Sequence, residues 1–387
     1  MEEIVLIKKK ILIVTDGYLP AQNYGGPLVS IDNLCSLLKD EIHFDIVTTE
    51  HEMNCTKRME EINDGWNKRN NAEVLYLPET KYKMNVFAQI INERKPECIY
   101  LNSLFSKKST IPFLKLAKKN NIPIILAPRG QLCKNAFKKK WKKIPYIILY
   151  SNILNQKKLV YQATSEEERE AIKKYLHVED KKIVTLNNIP SLPLEERAKK
   201  QKNKGRLDVV YISRIHPKKN LRYALEIVKE ASCFLQFDIY GPIEDLLYWK
   251  ECKKIIYEMP KNINVRYCGI VPHQDIHASF SAYDLFLFPT FSENYGHVIA
   301  EALFSGCPVI TSDNVPWLDL EKNNAGWAIS LDNRTEYKER ICQLSEEDDV
   351  VYSIRRNNCY QYVYKKSNYT ELRIKYLRTF AEFNYEE

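Results

Sequence analysis

Twice along this 387-residue chain, short apolar runs alternate with helix-patterned segments, and that alternation is the strongest constraint on its fold. The first series opens with a strand at Ile11–Val14 and a helix from about Ser30 to Lys39, whose Ile31, Leu34, Leu37 and Leu38 recur at helical spacing. Apolar pieces follow at Phe44–Thr48, Val74–Tyr76, Cys98–Leu101 and Ile122–Ala127. The second series offers strands at Asp208–Ile212, Phe234–Tyr240, Val265–Tyr267, Leu285–Phe288 and Pro308–Thr311. Between them lie helical patterns at Asn220–Ala231, Asp245–Tyr257 and His297–Phe304. Strands separated by helices predict βαβ units and parallel sheets. The polar, Lys-rich Glu195–Arg206 reads as a linker between two α/β domains. A last helix is expected over Thr370–Phe383, with Leu372, Leu377, Phe380 and Phe383 as packing residues, either finishing the second domain or crossing back to the first.

Composition narrows the class. A content of 44% apolar and 11% aromatic residues excludes a generally disordered chain. Uncharged stretches such as Ile144–Gln156 are too short for an ordinary membrane-spanning helix. No signal-peptide core is visible near the N-terminus, where the run Ile11–Val14 soon meets Asp16, so a cytoplasmic protein is expected. Of the 10 cysteines, the nearest two in sequence are Cys252 and Cys268. Without CxxC or a Cys/His cluster, neither structural zinc nor a disulfide framework is expected, and most are read as buried thiols. The net charge of +8 suggests an anionic partner without choosing among nucleic acid, nucleotide and membrane. Lys134, Lys138, Lys139, Lys140, Lys142 and Lys143 concentrate part of it.

Three segments carry candidate chemistry. In Glu293–Glu301 a turn at Gly296 leads into a helix. The amides near His297 and Val298 can face an anion there, helped by the helix dipole. Glu301 can accept hydrogen bonds from vicinal hydroxyls, as on a ribose, while Glu293 on the loop can approach a sugar. Both glutamates can equally be surface charges or caps. In Ser213–Asn220, directly after a strand, Arg214 offers a planar fork of donors and Lys219 a mobile ammonium. Together they suit a diphosphate, unless they are only solvated cations. Gly25-Gly26-Pro27 permits close backbone approach to phosphate or sugar but matches neither a dinucleotide nor a P-loop signature, and an ordinary flexible loop fits it as well.

Taken together, these segments resemble the retaining, nucleotide-sugar-dependent glycosyltransferases of the GT-B type, family 4 or group 1. The resemblance covers nearly the whole chain. It is strongest over Tyr211–Asn220, Ile239–Pro242, Gly269–Val271 and Tyr283–Asp313, the last containing the family's E-x7-E arrangement and a following Gly-Cys-Pro-Val at 306–309. It implies an α/β GT-B fold with two Rossmann-like domains facing across a cleft and a C-terminal helix crossing back. Residues 1–195 would be the acceptor-side domain, 196–369 the donor domain and 370–387 the crossover helix. Residue by residue, it implies that Arg214 and Lys219 hold the donor diphosphate, that Glu293 approaches the transferred sugar and that Glu301 meets the ribose. Asn294, Tyr295 and Gly296 fall on the loop beside sugar and phosphates, and Gly25 and Gly26 on the first-domain glycine loop.

A narrower resemblance, to bacterial enzymes building capsule, exopolysaccharide or other surface glycans, rests on Ala127-Pro-Arg-Gly130, Tyr161–Glu168 and Val315–Trp327. Many such enzymes have a histidine near the first of these, where this chain has Arg129, leaving that residue to contact donor, acceptor or only neighbouring structure. Gly241-Pro242 also lacks a second glycine often found just beyond it. The resemblance implies a retaining transfer from a nucleotide-diphosphate sugar, UDP-sugar favoured, to a glycan or lipid-linked acceptor, without a cofactor or a divalent metal. Alternatives are a nucleotide-sugar epimerase, a phosphorylase-like GT-B enzyme or a noncatalytic nucleotide-sugar-binding subunit. The segment Cys133–Leu154 is either a surface resting on an anionic membrane or a Lys-rich start to a buried helix. No nucleic-acid-binding signature accompanies its lysines.

Overall fold

Two parallel sheets, one in each of two compact units, organise the protein in the computed structural model, which describes residues 8–133, 137, 140–192 and 200–381. Lys134, Lys138, Lys139 and Phe383 lie outside the described residues, as do the side chain of Lys140 and residues 195–199 of the expected linker. The contacts divide the chain into Met1–Ile189 with Tyr369–Glu387, and Pro190–Asn368.

Among the described residues unit 1 has eight strands: β1 (Lys9–Val14), β2 (Ile42–Thr49), β3 (Trp66–Arg69), β4 (Ala72–Leu77), β5 (Cys98–Leu101), β6 (Ile124–Leu126), β7 (Leu159–Ala163) and β8 (Ile183–Thr185). Their order is β3-β4-β2-β1-β5-β6-β7-β8, parallel except for the β3–β4 pair. The central runs are buried on both faces, which is why Ile11–Val14 and Cys98–Leu101 carry no polar alternation. Connecting helices are α1 (Gly26–Leu37), α2 (Met84–Arg94), α3 (Thr110–Lys119), α4 (Lys140–Leu149), α5 (Ser151–Leu154) and α6 (Glu166–Leu176).

Unit 2 has β9 (Arg206–Ile212), β10 (Phe234–Tyr240), β11 (Ile263–Tyr267), β12 (Leu285–Phe288), β13 (Val309–Ser312) and β14 (Gly326–Ile329), in the order β11-β10-β9-β12-β13-β14 and all parallel. Its helices are α7 (Leu221–Lys229), α8 (Leu246–Tyr257), α9 (Ile276–Ser281), α10 (His297–Phe304), α11 (Arg334–Ser345) and α12 (Asp349–Ser367). At the reversal point β9 lies between β10 and β12, and its carboxyl end opens onto the Arg214 loop.

The last helix, α13 (Tyr369–Ala381), packs in unit 1, burying Leu372, Tyr376 and Phe380 among β1, β2 and β5 core residues, with Leu377 against them. Of the two sequence-level alternatives for this segment, the return to the first domain is therefore the one adopted. Six of the ten cysteines are buried, Cys35 and Cys307 among them. Among the described residues no helix is long and apolar enough to cross a membrane.

Candidate functional site

In unit 2 the chain leaves β9 at Ile212, runs through Ser213–His216 and makes a short turn of 3-10 helix at Pro217–Lys219 before α7. Backbone contact sets this path. Gly241 follows β10 at φ 136, and a Cβ there would lie 1.9 Å from the Ser213 carbonyl oxygen. Only glycine lets the two strand ends approach so closely. The Ile215 amide then donates to the Pro242 carbonyl at 2.8 Å. Asn220 closes the turn in a left-handed conformation, its side chain donating to the Pro289 carbonyl at 2.9 Å.

This turn delivers Lys219 to Glu293. The ammonium donates to Glu293 Oε1, and only 13% and 14% of the two side chains remain exposed. Thr290 donates its hydroxyl to the same oxygen at 3.3 Å, and the ammonium stands 5.6 Å from the Phe288 ring centroid. Arg214, the other cation of the loop, pairs with Glu244 at 2.7 Å. Lys219 and Glu293 are thus brought together, while Arg214 has a partner that sequence reasoning missed. Its one signal is an acidic residue just past the Gly241-Pro242 turn.

The next loop enters α10 through Gly296, at φ 78. The Gly296 carbonyl accepts from the amides of Ile299 and Ala300, and His297 and Val298 form the first turn of the helix. The loop is braced from outside. Trp317 Nε1 donates to the Tyr295 carbonyl at 2.6 Å, and the Glu293 amide donates to the Asn314 carbonyl at 3.2 Å. The Tyr295 ring lies edge-on to Trp317 and His297, whereas Asn294 is exposed. Val315–Trp327 contributes Trp317, the buttress of the loop.

Glu301 is buried one helical turn deeper. Ser191 donates to its Oε1 at 3.4 Å, and His273 Nε2 lies 3.6 Å from the same atom. Burial works against its ionised form, but His273, His297 and His277 outweigh it and hold the carboxyl below the usual range. His273 and His277 were not singled out from sequence, although they follow directly on Gly269–Val271. Burial lowers the pKa of His277 itself, reinforced by His273 and opposed by Glu301.

In unit 1, Gly25 is the residue before α1, at φ 63, and Gly26 and Pro27 open the helix. Arg129, itself left-handed at φ 54, is anchored inward. Its Nε donates to Asn102 at 2.6 Å, and its two terminal nitrogens donate to Asn188 and to the Tyr100 hydroxyl, each at 2.8 Å. Tyr100 in turn donates to Gln162, which donates to Tyr376 of α13; Asn102 reaches the Pro27 carbonyl at 3.3 Å. Of the contacts open to Arg129, those with neighbouring structure are thus present.

His43, Asp45 and Glu73 cluster closely enough to suggest metal ligands, but the Arg94 guanidinium fills that position, donating to both carboxylates.

Residues 194–366 match the family of glycosyl transferases group 1. An uncharacterized 41.2 kDa protein in the cps region of Klebsiella pneumoniae is 25% identical over 59% of this chain and 63% of its own length. The O-antigen chain mannosyltransferase B of Escherichia coli is 26% identical over 36% of this chain and 37% of its own. The chain therefore spans less than two thirds of these curated relatives. The Anabaena Alr3699/HepE structure, in complex with UDP and glucose, superposes with a TM-score of 0.69 at 15% identity, covering 96% of this chain and 99% of that one. Residues 194–366 are thus similar to glycosyl transferases group 1, within a chain whose fold is GT-B.

Proposed function

We propose that the protein is a retaining glycosyltransferase that moves a sugar from a nucleotide-diphosphate sugar, UDP-sugar in the first instance, to a glycan or lipid-linked acceptor in bacterial surface polysaccharide synthesis. The observation that carries this reading is the Lys219–Glu293 pair, held at the carboxyl end of the unit 2 sheet within the matched domain. The relatives support the substrate class: one lies in a cps region, one is an O-antigen mannosyltransferase, and Alr3699/HepE holds UDP and glucose.

In this reading Arg214 and Lys219 grip the diphosphate, with the α10 amides of His297 and Val298 facing the same charge. Glu301 accepts hydrogen bonds from the ribose hydroxyls. The Asn294–Gly296 loop lies along sugar and phosphate, and the buttress on Tyr295 keeps it in place. The C1–O bond to the diphosphate breaks, and a C1–O bond to the acceptor oxygen forms on the same face. The acceptor proton passes to the departing phosphate. Negative charge grows on the leaving group and positive charge at C1. Lys219 and Arg214 stabilise the first, and the Glu293 carboxylate, already beside Lys219, stabilises the second. The two cations hold the diphosphate without a divalent ion. Unit 1 serves the acceptor, with the Gly25-Gly26 loop and the Arg129 network shaping its side, and the protein works at the cytoplasmic face of the cell membrane.

A donor panel tests this reading, with mass analysis of released nucleotide and determination of the product's anomeric configuration. Acceptor-dependent release of nucleoside diphosphate with retained configuration, undiminished by chelator, is expected. An inverted linkage, or donor breakdown without an acceptor, overturns it.

A further inference from the structure

In unit 1 the strand order reverses between β1 and β5. From β1 the sheet grows through β2 and β4, and from β5 it grows the other way to β8. Open α/β sheets bind ligands in the crevice outside the carboxyl ends of the strands at such a point. Asp16 follows β1 and Ser106 lies in the loop after β5, and the two meet across the reversal. The Ser106 hydroxyl donates to the Asp16 carboxylate, 2.7 Å from one oxygen and 2.6 Å from the other.

The partners of Asp16 set it apart from the carboxylates nearby. Glu79 is paired with Lys108 at 2.5 Å, and Glu52 accepts from the Gln22 and Asn23 amides at 2.9 and 3.1 Å. Asp16 has a neutral hydroxyl as its partner and, among the described residues, forms no ion pair. It is open to solvent, yet burial raises its pKa against the Ser106 hydrogen bond, as at the floor of a concavity. Two half-buried tyrosines stand near it. Burial raises the phenol pKa of Tyr24 and of Tyr82, and the Asp16 charge adds to the rise in each. Tyr24 is seated by Gly17, where a Cβ would lie 2.1 Å from its ring, and its hydroxyl donates to the His51 carbonyl at 3.3 Å. These groups fit a saccharide. A carboxylate accepts hydrogen bonds from sugar hydroxyls, and tyrosine rings offer an apolar face with a polar edge. An unpaired carboxylate also repels a second carboxylate or a phosphate brought to the same point.

We propose that Asp16, held by Ser106, accepts a hydrogen bond from a hydroxyl of the acceptor's terminal sugar and restricts that position to sugars without an acidic group. The inference rests on the reading of unit 1 as the acceptor side. It goes beyond that reading by naming a specificity-determining residue and the charge class it selects.

The test is a saturation-transfer NMR titration of the full chain, without donor, using two matched pairs of probes. These are the p-nitrophenyl β-glucoside with its β-glucuronide, and the β-galactoside with its β-galacturonide; each pair differs in one carboxylate. At least one neutral probe should bind saturably, and at least about tenfold more tightly than its acidic match. Asp16→Asn keeps the size of the side chain and removes its charge, and should narrow that ratio to within about threefold. Asp16→Ala should weaken the neutral probe by about tenfold or more. Thermal unfolding should be unchanged in both variants, whereas a merely structural role would move unfolding and leave the ratio alone. No saturable binding by either neutral probe, equal affinities within the pairs, or an unchanged ratio in Asp16→Asn overturns the proposal. Acceptor-dependent nucleotide release alongside any of these results would remove the Asp16 assignment and leave the transfer reading standing.

Discussion

Arg129 and Lys219 are both cations on loops that follow parallel strands, yet their partners differ in kind. Arg129 distributes three nitrogens over a phenol and two amide oxygens. Those acceptors are themselves tied to Gln162, Tyr376 and the Pro27 carbonyl. Lys219 meets a carboxylate on a mostly buried loop residue, Glu293, with Thr290 as that carboxylate's second partner. A guanidinium shared among fixed neutral acceptors builds a loop. An ammonium against one carboxylate is a charge that an incoming phosphate can share. The kind of partner, more than the cation, is what distinguishes the two loops.

Substitution at each cation tests that contrast. Lys219→Ala should lower kcat/KM for the donor by about 10²–10³-fold, equivalent to about 2.7–4 kcal/mol of transition-state stabilisation, as read from initial rates of nucleotide release. Loss of less than tenfold would place the diphosphate elsewhere. Arg129→Met should act on the fold. It removes three donors at once, and urea unfolding should show a loss of about 2–4 kcal/mol. At a temperature where the variant remains folded, its kcat/KM should stay within about tenfold of the parent. A stable Arg129→Met protein with no activity would reverse the assignment and make Arg129 the ligand.

Legibility from sequence followed the same division between local and distant partners. Leu285–Phe288 was readable to the residue because a strand buried on both faces is a continuous apolar run, and Phe234–Tyr240 because Leu235, Phe237 and Ile239 alternate along one buried face. Trp66–Arg69 was invisible, since Trp-Asn-Lys-Arg has no such run and forms an edge strand only by pairing antiparallel with β4. Helix α12 was hidden too: it buries Arg355 and Arg356, and Arg355 is accommodated by Glu347 and the Trp327 ring. At the candidate site, Glu293, Gly296 and Glu301 sit within one local loop and helix, so their relation can be read from spacing along the chain. Glu244, Ser191, His273 and His277 reach that site from other elements, and no spacing along the chain announces them.

The histidines around Glu301 extend the contrast to pH. His277 is held below its ordinary pKa by burial, so the unfolded chain binds its proton first as pH falls below 6.5. Its contribution to stability is therefore present at neutral pH and declines on acidification through that range. Glu301, held low against the cost of burial, keeps its contribution until pH falls below the ordinary carboxylate value of 4.5. Unfolding temperatures should drop between pH 7 and 5, and His277→Gln should remove part of that drop. An identical slope in the variant would mean that the titration lies elsewhere.

The smallest expected effect is the most pointed. Arg214 and Glu244 leave 36% and 30% of their side chains exposed, so their ion pair contributes little to stability, on the order of 0.5 kcal/mol or less. If Arg214 must leave Glu244 to reach a diphosphate, neutralising that carboxylate removes a competitor from the free enzyme and nothing from the transition state. Glu244→Gln should then lower the donor KM by about two- to threefold with kcat unchanged, the pattern of altered uniform binding. A raised KM would instead mean that Glu244 holds Arg214 in its working orientation. Arg214 would then stand beside Arg129, as a cation whose acceptor positions it, rather than beside Lys219.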